Sequence, residues 1–233
     1  MLVFKALCDI SISVTISFNR DYNMLTLTKR IPMHRLLIAT NNPHKVTEMV
    51  ALMEGLPLTI VTPQAMGITL DVEEIGQTYL ENALIKAIAF SQASGLPVLS
   101  DDSGLEVDVL GGLPGVHSHR LIAEPNASGH ERCLRLLELL ADKPKPWTAT
   151  FRSEVVLMRS PEDWVSASGA CLGEIQETFS GSNGFGYAPI FRIAGLNQTM
   201  SDLPDAIKNQ ISHRARAIQA LMPELQRFVA AAR

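Results

Sequence analysis

The 233-residue sequence has little of several residue types, and each shortage excludes a class of protein. Its three cysteines, Cys8, Cys133 and Cys171, form no CxxC pair, which argues against a disulfide framework and a thiolate zinc site. Aromatic residues are only 6% of the chain, which disfavours a stacking platform for single-stranded nucleic acid. The net charge of −4 disfavours a protein that coats duplex DNA. The composition therefore predicts a globular cytoplasmic protein with no nucleic acid polymer as partner.

The first 33 residues show no pattern that connects them to the rest of the chain. The most apolar window, Met1 to Phe18, is interrupted by two charged residues and has no charged start or cleavage signal. Neither a secretory signal nor a membrane span is therefore predicted. The alternation from Ser11 to Phe18 is typical of one edge strand. We expect residues 1–33 to form a poorly ordered extension and residues 34–233 to form a single domain.

From Arg35 onward the sequence alternates between strand and helix patterns. The apolar run Leu36–Ala39 predicts a strand buried on both faces, and Asn42 and Pro43 suit the start of the following helix. Thr78–Glu81 is a capping box that opens a second helix. Further strands are predicted at 58–61, 97–100, 148–158, 164–171 and 190–192, and further helices at 130–141 and from 212 onward. This order predicts an α/β fold with a mixed sheet and helices on its faces.

The turn Thr40-Asn41-Asn42-Pro43-His44-Lys45 is the first candidate for a ligand site. It leads from a buried strand into a helix, and the backbone N–H groups at a helix N-terminus attract anions. Lys45, one turn into the helix, adds a full positive charge. Because the Walker pattern is absent, the alternative is an asparagine cap followed by a surface lysine.

The second candidate is a group of carboxylates: Glu73, Glu74, Glu81, Asp101 and Asp102. Asp101 and Asp102 are predicted to follow the strand 97–100 at its carboxyl end, where ligands bind in open α/β sheets. Adjacent carboxylates repel each other unless a cation or a shared proton intervenes. Mg²⁺ is the expected cation, because it takes one or two carboxylates and completes its shell with water and phosphate oxygens. For Glu73 and Glu74, a solvated loop pair is the alternative.

Two further segments complete the candidate site. Lys208, His213 and Arg214 lie around a predicted helix start, which suits either a second anion site or an ordinary solvated helix end. Phe185 and Tyr187 offer aromatic faces for a base, with core packing as the alternative. Two cationic corners beside a carboxylate edge suit a nucleoside triphosphate with magnesium.

The order of these motifs resembles the inosine triphosphate pyrophosphatase family. The segments that carry the resemblance are 40–45, 73–83, 100–107, 110–116, 184–187 and 208–214. The resemblance implies an α/β fold of two lobes around a long central mixed sheet with flanking helices, with the nucleotide in the cleft between the lobes. It also implies a cytoplasmic homodimer that uses Mg²⁺ to hydrolyse ITP, dITP and XTP to the monophosphate and pyrophosphate. This activity removes deaminated purines from the nucleotide pool.

The resemblance also implies a role for individual residues. Asp102 resembles the catalytic carboxylate that activates water, and together with Glu73 it would bind the metal. The implied substrate-binding residues are Thr40, Asn41, Asn42, Pro43, His44, Lys45 and Ser103 for the triphosphate, and Phe185, Gly186, Tyr187, Ala188, Lys208, His213 and Arg214 for the base and phosphates.

Ala188 departs from the family pattern, which has Asp after the motif F-G-[YW]. A methyl group accepts no hydrogen bond, and losing a polar partner in a desolvated site costs about 1–3 kcal/mol. Two alternatives therefore stay open: a nucleotide-binding module with lost catalysis, and a triphosphate pyrophosphatase with relaxed base choice. His44 is a second departure, because relatives often have Gly at this position of the turn.

Overall fold

The computed structural model describes residues 11–14, 27–30, 34–124 and 127–231. The strands in these ranges are β1 (Ser11–Val14), β2 (Leu27–Arg30), β3 (His34–Ile38), β4 (Leu58–Val61), β5 (Val98–Val107), β6 (Pro114–Gly115), β7 (Thr148–Ser160), β8 (Asp163–Ile175) and β9 (Phe191–Ile193). The α-helices are α1 (Pro43–Leu52), α2 (Tyr79–Ser94), α3 (Gly129–Leu140), α4 (Asp205–Ile211) and α5 (His213–Ala230).

Seven of the described strands form one mixed sheet in the order β4-β3-β5-β7-β8-β9, with β6 paired to β5. β3 is parallel to β4 and β5, whereas the remaining pairs are antiparallel. The predicted mixed α/β fold is therefore confirmed. β1 and β2 pair only with each other in the described part of the chain, so the predicted edge strand is confirmed for 11–14, while 15–18 lie outside the described residues.

The helix starts follow from local side-chain chemistry. Asn42 caps α1 immediately before Pro43, as predicted. Thr78 and Glu81 form the predicted reciprocal capping box at the start of α2. The same helix ends at Gly95, whose φ of +66° lies in the left-handed region that glycine adopts without strain. These ends fix where α1 and α2 stand on the sheet.

Neighbouring residues of β5 face opposite sides of the sheet, as alternation along a strand requires. On one side Leu99 packs against α1 and α5, in a buried cluster that includes Met49 and Leu221. On the other side Val98 packs against α2, in a cluster that includes Phe90. Helices therefore cover both faces of the central strands.

The far ends of β5, β7 and β8 belong to a different hydrophobic cluster. Leu105 packs there with Leu136 of α3 and Phe191 of β9. The long strands β7 and β8 thus connect two packed halves, one built with α1, α2 and α5 and the other with α3. No helix among the residues that the structure describes is long and apolar enough to cross a membrane.

The prediction that Asp101 and Asp102 follow the end of a strand is wrong. Both lie inside β5, which runs for ten residues. The parallel pairing with β3 reaches only Leu99, but antiparallel pairing with β7 continues along the whole length of β5. The two aspartates therefore lie beyond the end of the parallel neighbour β3, at a point where the strand itself is still paired.

Candidate functional site

A cleft of about 840 Å³ lies between the N-terminus of α1, the middle of β5 and the loop that contains Phe185. Among its lining residues are Thr40, Asn41, Asn42, His44, Lys45, Glu73, Asp102, Ser103, Phe185, Gly186, Tyr187, Ala188, Lys208, His213 and Arg214. Of the residues to which the family resemblance assigns a role, only Pro43, the first residue of α1, does not line the cleft; Glu81 and Asp101 of the carboxylate group do not line it either. The structure therefore brings the separate sequence motifs to one place.

The turn before α1 is held by its own side chains. Asn42 Oδ1 accepts hydrogen bonds from the backbone N–H groups of His44 (2.9 Å) and Lys45 (3.4 Å), while Thr40 Oγ1 accepts one from Asn42 N (3.1 Å). Asn41 Nδ2 donates to Leu70 O at 2.9 Å. Since Asn42 already binds two N–H groups of the first helical turn, the lysine side chain is the larger source of positive potential here.

The alternative interpretation of the turn, in which Lys45 is a solvated surface lysine, is wrong. The Lys45 side chain is 14% exposed, and its Nζ lies 2.7 Å from Asp101 Oδ2. Burial lowers the pKa of Lys45, and the Asp101 carboxylate opposes that effect. The lysine is therefore held inside the cleft wall by a buried ion pair rather than solvated on the helix surface.

Asp101 is the centre of a buried charge network. Besides Lys45, Arg214 Nη2 lies 3.1 Å from Asp101 Oδ2, and Ser153 Oγ donates to Asp101 Oδ1 at 2.5 Å. Burial by itself raises the pKa of the Asp101 carboxyl, but Arg214 and Lys45 reverse the effect and hold this pKa well below its usual value. Asp101 is thus ionised and connects β5, β7, α1 and α5.

Asp102 points to the other face of the sheet and has its own partners. Lys86 Nζ lies 3.1 Å from Asp102 Oδ1, and Asn82 Nδ2 donates to Asp102 Oδ2 at 3.3 Å. Burial raises the pKa of the Asp102 carboxyl, and Lys86 only partly opposes this shift. Alternation along β5 places Asp101 and Asp102 on opposite faces of the sheet, and each has its own cationic partners: Lys45 and Arg214 for Asp101 and Lys86 for Asp102.

The other carboxylates of the predicted group have different surroundings. Glu74 Oε1 lies 2.5 Å from Lys86 Nζ. Burial raises the pKa of Glu74, but the Lys86 ammonium more than compensates and lowers it. Glu81 accepts hydrogen bonds from the backbone of Gln77 and Thr78 and so belongs to the helix cap. Glu73 is exposed, and like the buried Asp102 it lines the cleft.

Arg214 is the most buried cation of the site, with a side chain that is 2% exposed. Its guanidinium pairs with Glu48 Oε2 at 2.5 Å and donates to Ser103 Oγ at 3.0 Å. Its Cζ lies 5.9 Å from the centroid of the Phe185 ring. Arg214 therefore contacts both the β5 edge of the cleft and the aromatic loop.

The possible second anion site around Lys208, His213 and Arg214 differs in part from its prediction. Lys208 is buried, with its Nζ 3.2 Å from Asp205. His213 stacks on Phe151, with ring centroids 4.8 Å apart and an interplanar angle of 12°. Burial, together with the neighbouring Arg214, lowers the pKa of His213 to about 3. Lys208 and Arg214 therefore supply charge, whereas His213 is a neutral aromatic wall near pH 7.

The aromatic loop has one ring in the cleft and one mainly in the core. Phe185 is half-buried, and Gly184 and Gly186 beside it have φ of +122° and +62°. Tyr187 is 4% exposed and donates from its hydroxyl to Ser118 O at 2.7 Å. Ala188 is also buried. The core-packing alternative therefore describes most of the Tyr187 ring, while Phe185 presents an accessible face.

Several residues that line the cleft or support its side chains were not predicted as site residues from the sequence. Asn82 and Lys86, which hold Asp102, are four residues apart on α2, so helical spacing after the capping box was an available signal. Glu48 has no local signal, since its partner Arg214 lies on α5. Further cationic or titratable side chains that were not predicted also line the cleft: Asp71, His119, Arg120, His130 and Arg132.

Together, fold and cleft define a class: a mixed α/β protein with buried cations and carboxylates arranged to receive a polyanion. The sequence model of the Ham1 family matches residues 36–224, and the chain belongs to this family. The predicted resemblance is thereby confirmed.

The chain is similar to known proteins over nearly the whole length of those proteins. A dITP/XTP pyrophosphatase of Geobacter sulfurreducens is 41% identical over 194 residues, which cover 83% of this chain and 97% of the relative. A dITP/XTP pyrophosphatase of Methylococcus capsulatus is 43% identical over 195 residues, or 82% and 96% of the two chains. The solved structure of a HAM1 protein from Coxiella burnetii is 36% identical, with a TM-score of 0.76, and covers 84% of this chain and 100% of its own.

Proposed function

We propose that the protein hydrolyses the non-canonical purine nucleoside triphosphates ITP, dITP and XTP to the monophosphate and pyrophosphate, and so removes deaminated purines from the nucleotide pool. The observation that carries this proposal is the convergence of Lys45, Lys208 and Arg214 on a cleft that Asp102 also lines. The relatives named dITP/XTP pyrophosphatase support the same activity.

The chemistry assigned to these side chains is mainly positioning and charge neutralisation, as expected for attack at phosphorus. Lys45, Lys208 and Arg214 would neutralise the triphosphate, with Ser103 and the turn 40–45 fixing its position. Asp102 would take a proton from the water that attacks the α-phosphorus. The α–β phosphoanhydride bond breaks, pyrophosphate leaves, and the nucleoside monophosphate remains.

Asp102 and Glu73 are the residues that we propose to hold Mg²⁺. Both carboxylates line the cleft, whereas no group of three or more His, Cys, Asp or Glu residues within the described ranges is arranged to hold a metal ion. A carboxylate pair of this kind fits Mg²⁺, which takes one or two protein carboxylates and shares substrate phosphate oxygens. When bound, the ion would lower the pKa of the attacking water and neutralise phosphate charge.

The base would lie near Phe185, Gly186, Tyr187 and Ala188, beside Lys208 and His213. We further propose that the protein acts in the cytoplasm as a homodimer. Sedimentation of the purified chain tests the assembly state: a mass of about twice the 25.4 kDa protomer is expected, and a monomer would contradict this part of the proposal.

Incubation of the purified chain with Mg²⁺ and ITP, dITP, XTP, GTP or ATP tests the reaction, with released pyrophosphate as the readout. We expect pyrophosphate from the first three substrates and much less from GTP and ATP. Absence of product from every nucleotide would refute the enzymatic proposal. Equal rates with GTP would refute only the selectivity.

Ala188 favours a second candidate, a pyrophosphatase with relaxed base choice. Its buried methyl group lines the cleft and offers no hydrogen bond. Hydrolysis of canonical or pyrimidine nucleotides in the same assay would support this candidate. Nucleotide binding without any turnover would instead indicate a binding module with lost catalysis.

We also propose that residues 34–233 form the catalytic domain and that residues 1–33 are an extension without a catalytic role. In the described residues, β1 and β2 pair with each other and not with the seven-stranded sheet. A chain that starts at Met33 should keep kcat/KM for ITP within twofold of the full chain. A large loss of activity with unchanged secondary structure would contradict this division.

A further inference from the structure

One contact of the cleft connects residues that the proposed mechanism treats separately. The imidazole of His44 stacks on the ring of Phe185, with centroids 5.2 Å apart and an interplanar angle of 16°. His44 lies in the first turn of α1, whereas Phe185 lies in the loop that precedes β9. Both residues line the cleft, so the stack connects the N-terminal turn of α1 to the aromatic loop within it.

The His44 side chain is free to serve a ligand. In the turn before α1 it is the backbone N–H of His44, and not the imidazole, that Asn42 binds. The imidazole is exposed, and the described residues give it neither a hydrogen bond nor an ion pair. Phe185 is half-buried, with the Arg214 guanidinium as a second neighbour of its ring. The stack is therefore a contact between two rings at the surface of the cleft and not part of a hydrophobic core.

We propose that His44 and Phe185 form a two-sided stacking clamp and that the purine base of the substrate inserts between their rings. This inference rests on the proposed function and adds a residue to its base-binding site. Phe185 is flanked by Gly184 and Gly186, two residues without a Cβ whose backbone dihedrals change at low cost. Insertion requires the loop to move away from α1 by about the thickness of a base, and these glycines are where its backbone dihedrals would change.

The energy of stacking favours insertion. An aromatic pair contributes about 0.5–1.5 kcal/mol beyond the area it buries. Each contact between a base and an aromatic side chain is worth about 1–3 kcal/mol by alanine substitution. Insertion exchanges one contact between His44 and Phe185 for two contacts with the base, so the base gains more than the separated rings lose. Such a clamp holds every purine that fits, since every base has an aromatic face.

His44→Ala is the decisive variant, because it removes the imidazole and keeps the backbone N–H of the turn. We expect KM for ITP to rise about tenfold, which corresponds to roughly 1.4 kcal/mol of lost stacking, while kcat changes less than twofold. His44→Phe should restore KM, because a phenyl ring also stacks. Affinity for IMP, measured by calorimetry, should follow the same order and needs no turnover.

Tripolyphosphate, which has no base, separates the clamp from a role in phosphate binding. Its inhibition constant should be the same in the wild type, His44→Ala and His44→Phe. An unchanged or lowered KM in His44→Ala would overturn the clamp, as would a parallel loss of tripolyphosphate binding. If the wild type releases no pyrophosphate from any nucleotide, the proposed function fails, and the IMP affinities still decide whether His44 stacks on a base.

Discussion

The phosphate side and the base side of the cleft are built in different ways. On the phosphate side, Asp101 and Asp102 lie on a strand paired along its whole length, and their cationic partners stand on helices packed against the two faces of the sheet. On the base side, Phe185 lies in a loop between two glycines with positive φ. The charged groups are thus held by regular elements, while the aromatic surface is held by a loop.

This difference teaches where each property of the protein can change. A shift of 1 Å among buried charges alters every interaction in the network, because ion pairs in a desolvated site depend strongly on geometry. A loop that holds one ring against another can exchange that contact for a ligand. Catalysis should therefore be sensitive to substitutions on β5, and binding of the base to substitutions in the loop and in His44.

The strongest test of the phosphate side is Asp102→Asn. Loss of the proposed general base should lower kcat by about 10³-fold or more while the fold is retained. Pyrophosphate release from ITP measures the rate. Glu154→Gln is the matched control, because Glu154 lies opposite Asp102 on β7 and does not line the cleft; it should retain activity within twofold. Full activity of Asp102→Asn would show that the base is misassigned.

Asp101→Asn tests whether the network is as tightly coupled as its burial indicates. Removing this charge leaves Lys45 and Arg214 without their common partner, and breaking a buried pair costs about 3–5 kcal/mol. Urea unfolding measures the loss of stability. In Asp163→Asn, which removes the same group from an exposed pair with Arg159, the loss should stay below about 1 kcal/mol. Similar losses in both variants would contradict the contrast between buried and surface pairs.

The pH dependence of the free energy of unfolding tests whether the buried imidazole of His213 is neutral. Its pKa is about 3 in the folded protein and 6.5 in the reference state, so the unfolded chain binds a proton that the folded chain does not. Stability from the neutral imidazole is complete above pH 6.5 and is lost as the pH falls below it, by about 2 kcal/mol at pH 5.

His213→Gln should flatten this dependence in urea unfolding between pH 7.5 and pH 5. His117→Gln removes an exposed histidine outside the cleft and should leave the dependence as steep as in the wild type. An equal slope in wild type and His213→Gln would exclude a buried neutral imidazole as the cause.

Ala188→Asp tests the base side of the cleft and has the smallest expected effect. The Ala188 methyl group and the Lys208 ammonium both lie close to Gly184, so a carboxylate at position 188 enters a region that already holds a cation. We expect the ratio of kcat/KM for ITP to that for GTP to change about tenfold, as one hydrogen bond in a desolvated site allows. Ala188→Asn, with the same shape and no charge, is the control. An unchanged ratio in both variants would place base choice elsewhere in the cleft.

Features with local causes could be predicted from the sequence. The cap at Asn42, the capping box at Thr78 and the hairpin of β7 and β8 each depend on residues close together in the chain. The motif order also identified the family, and its implied site residues other than Pro43 line the cleft, whereas Glu48, Lys86 and Arg132 were not predicted. These are the levels at which sequence patterns carry direct physical meaning.

Features with distant causes could not be predicted. β5 extends through Asp101 and Asp102 because β7, about fifty residues later, pairs with it, and no local pattern indicates that partner. The buried state of Lys45 and the neutral state of His213 depend on Arg214 and Asp101 together with the packing of α5. The sequence shows which residues are ionisable, whereas the packing of the folded chain decides which of them carry charge.

The alternation of side chains along β5 has a consequence for which mutations the protein can accept. A substitution at Asp101 or Asp102 alters one side of the sheet, but inserting or deleting a single residue earlier in this strand would send each carboxylate to the opposite side. The lysine and arginine that neutralise Asp101 would then face a different residue, and so would Lys86. The site can therefore change by exchange of single side chains, whereas a change in the length of β5 would dismantle both charge networks at once.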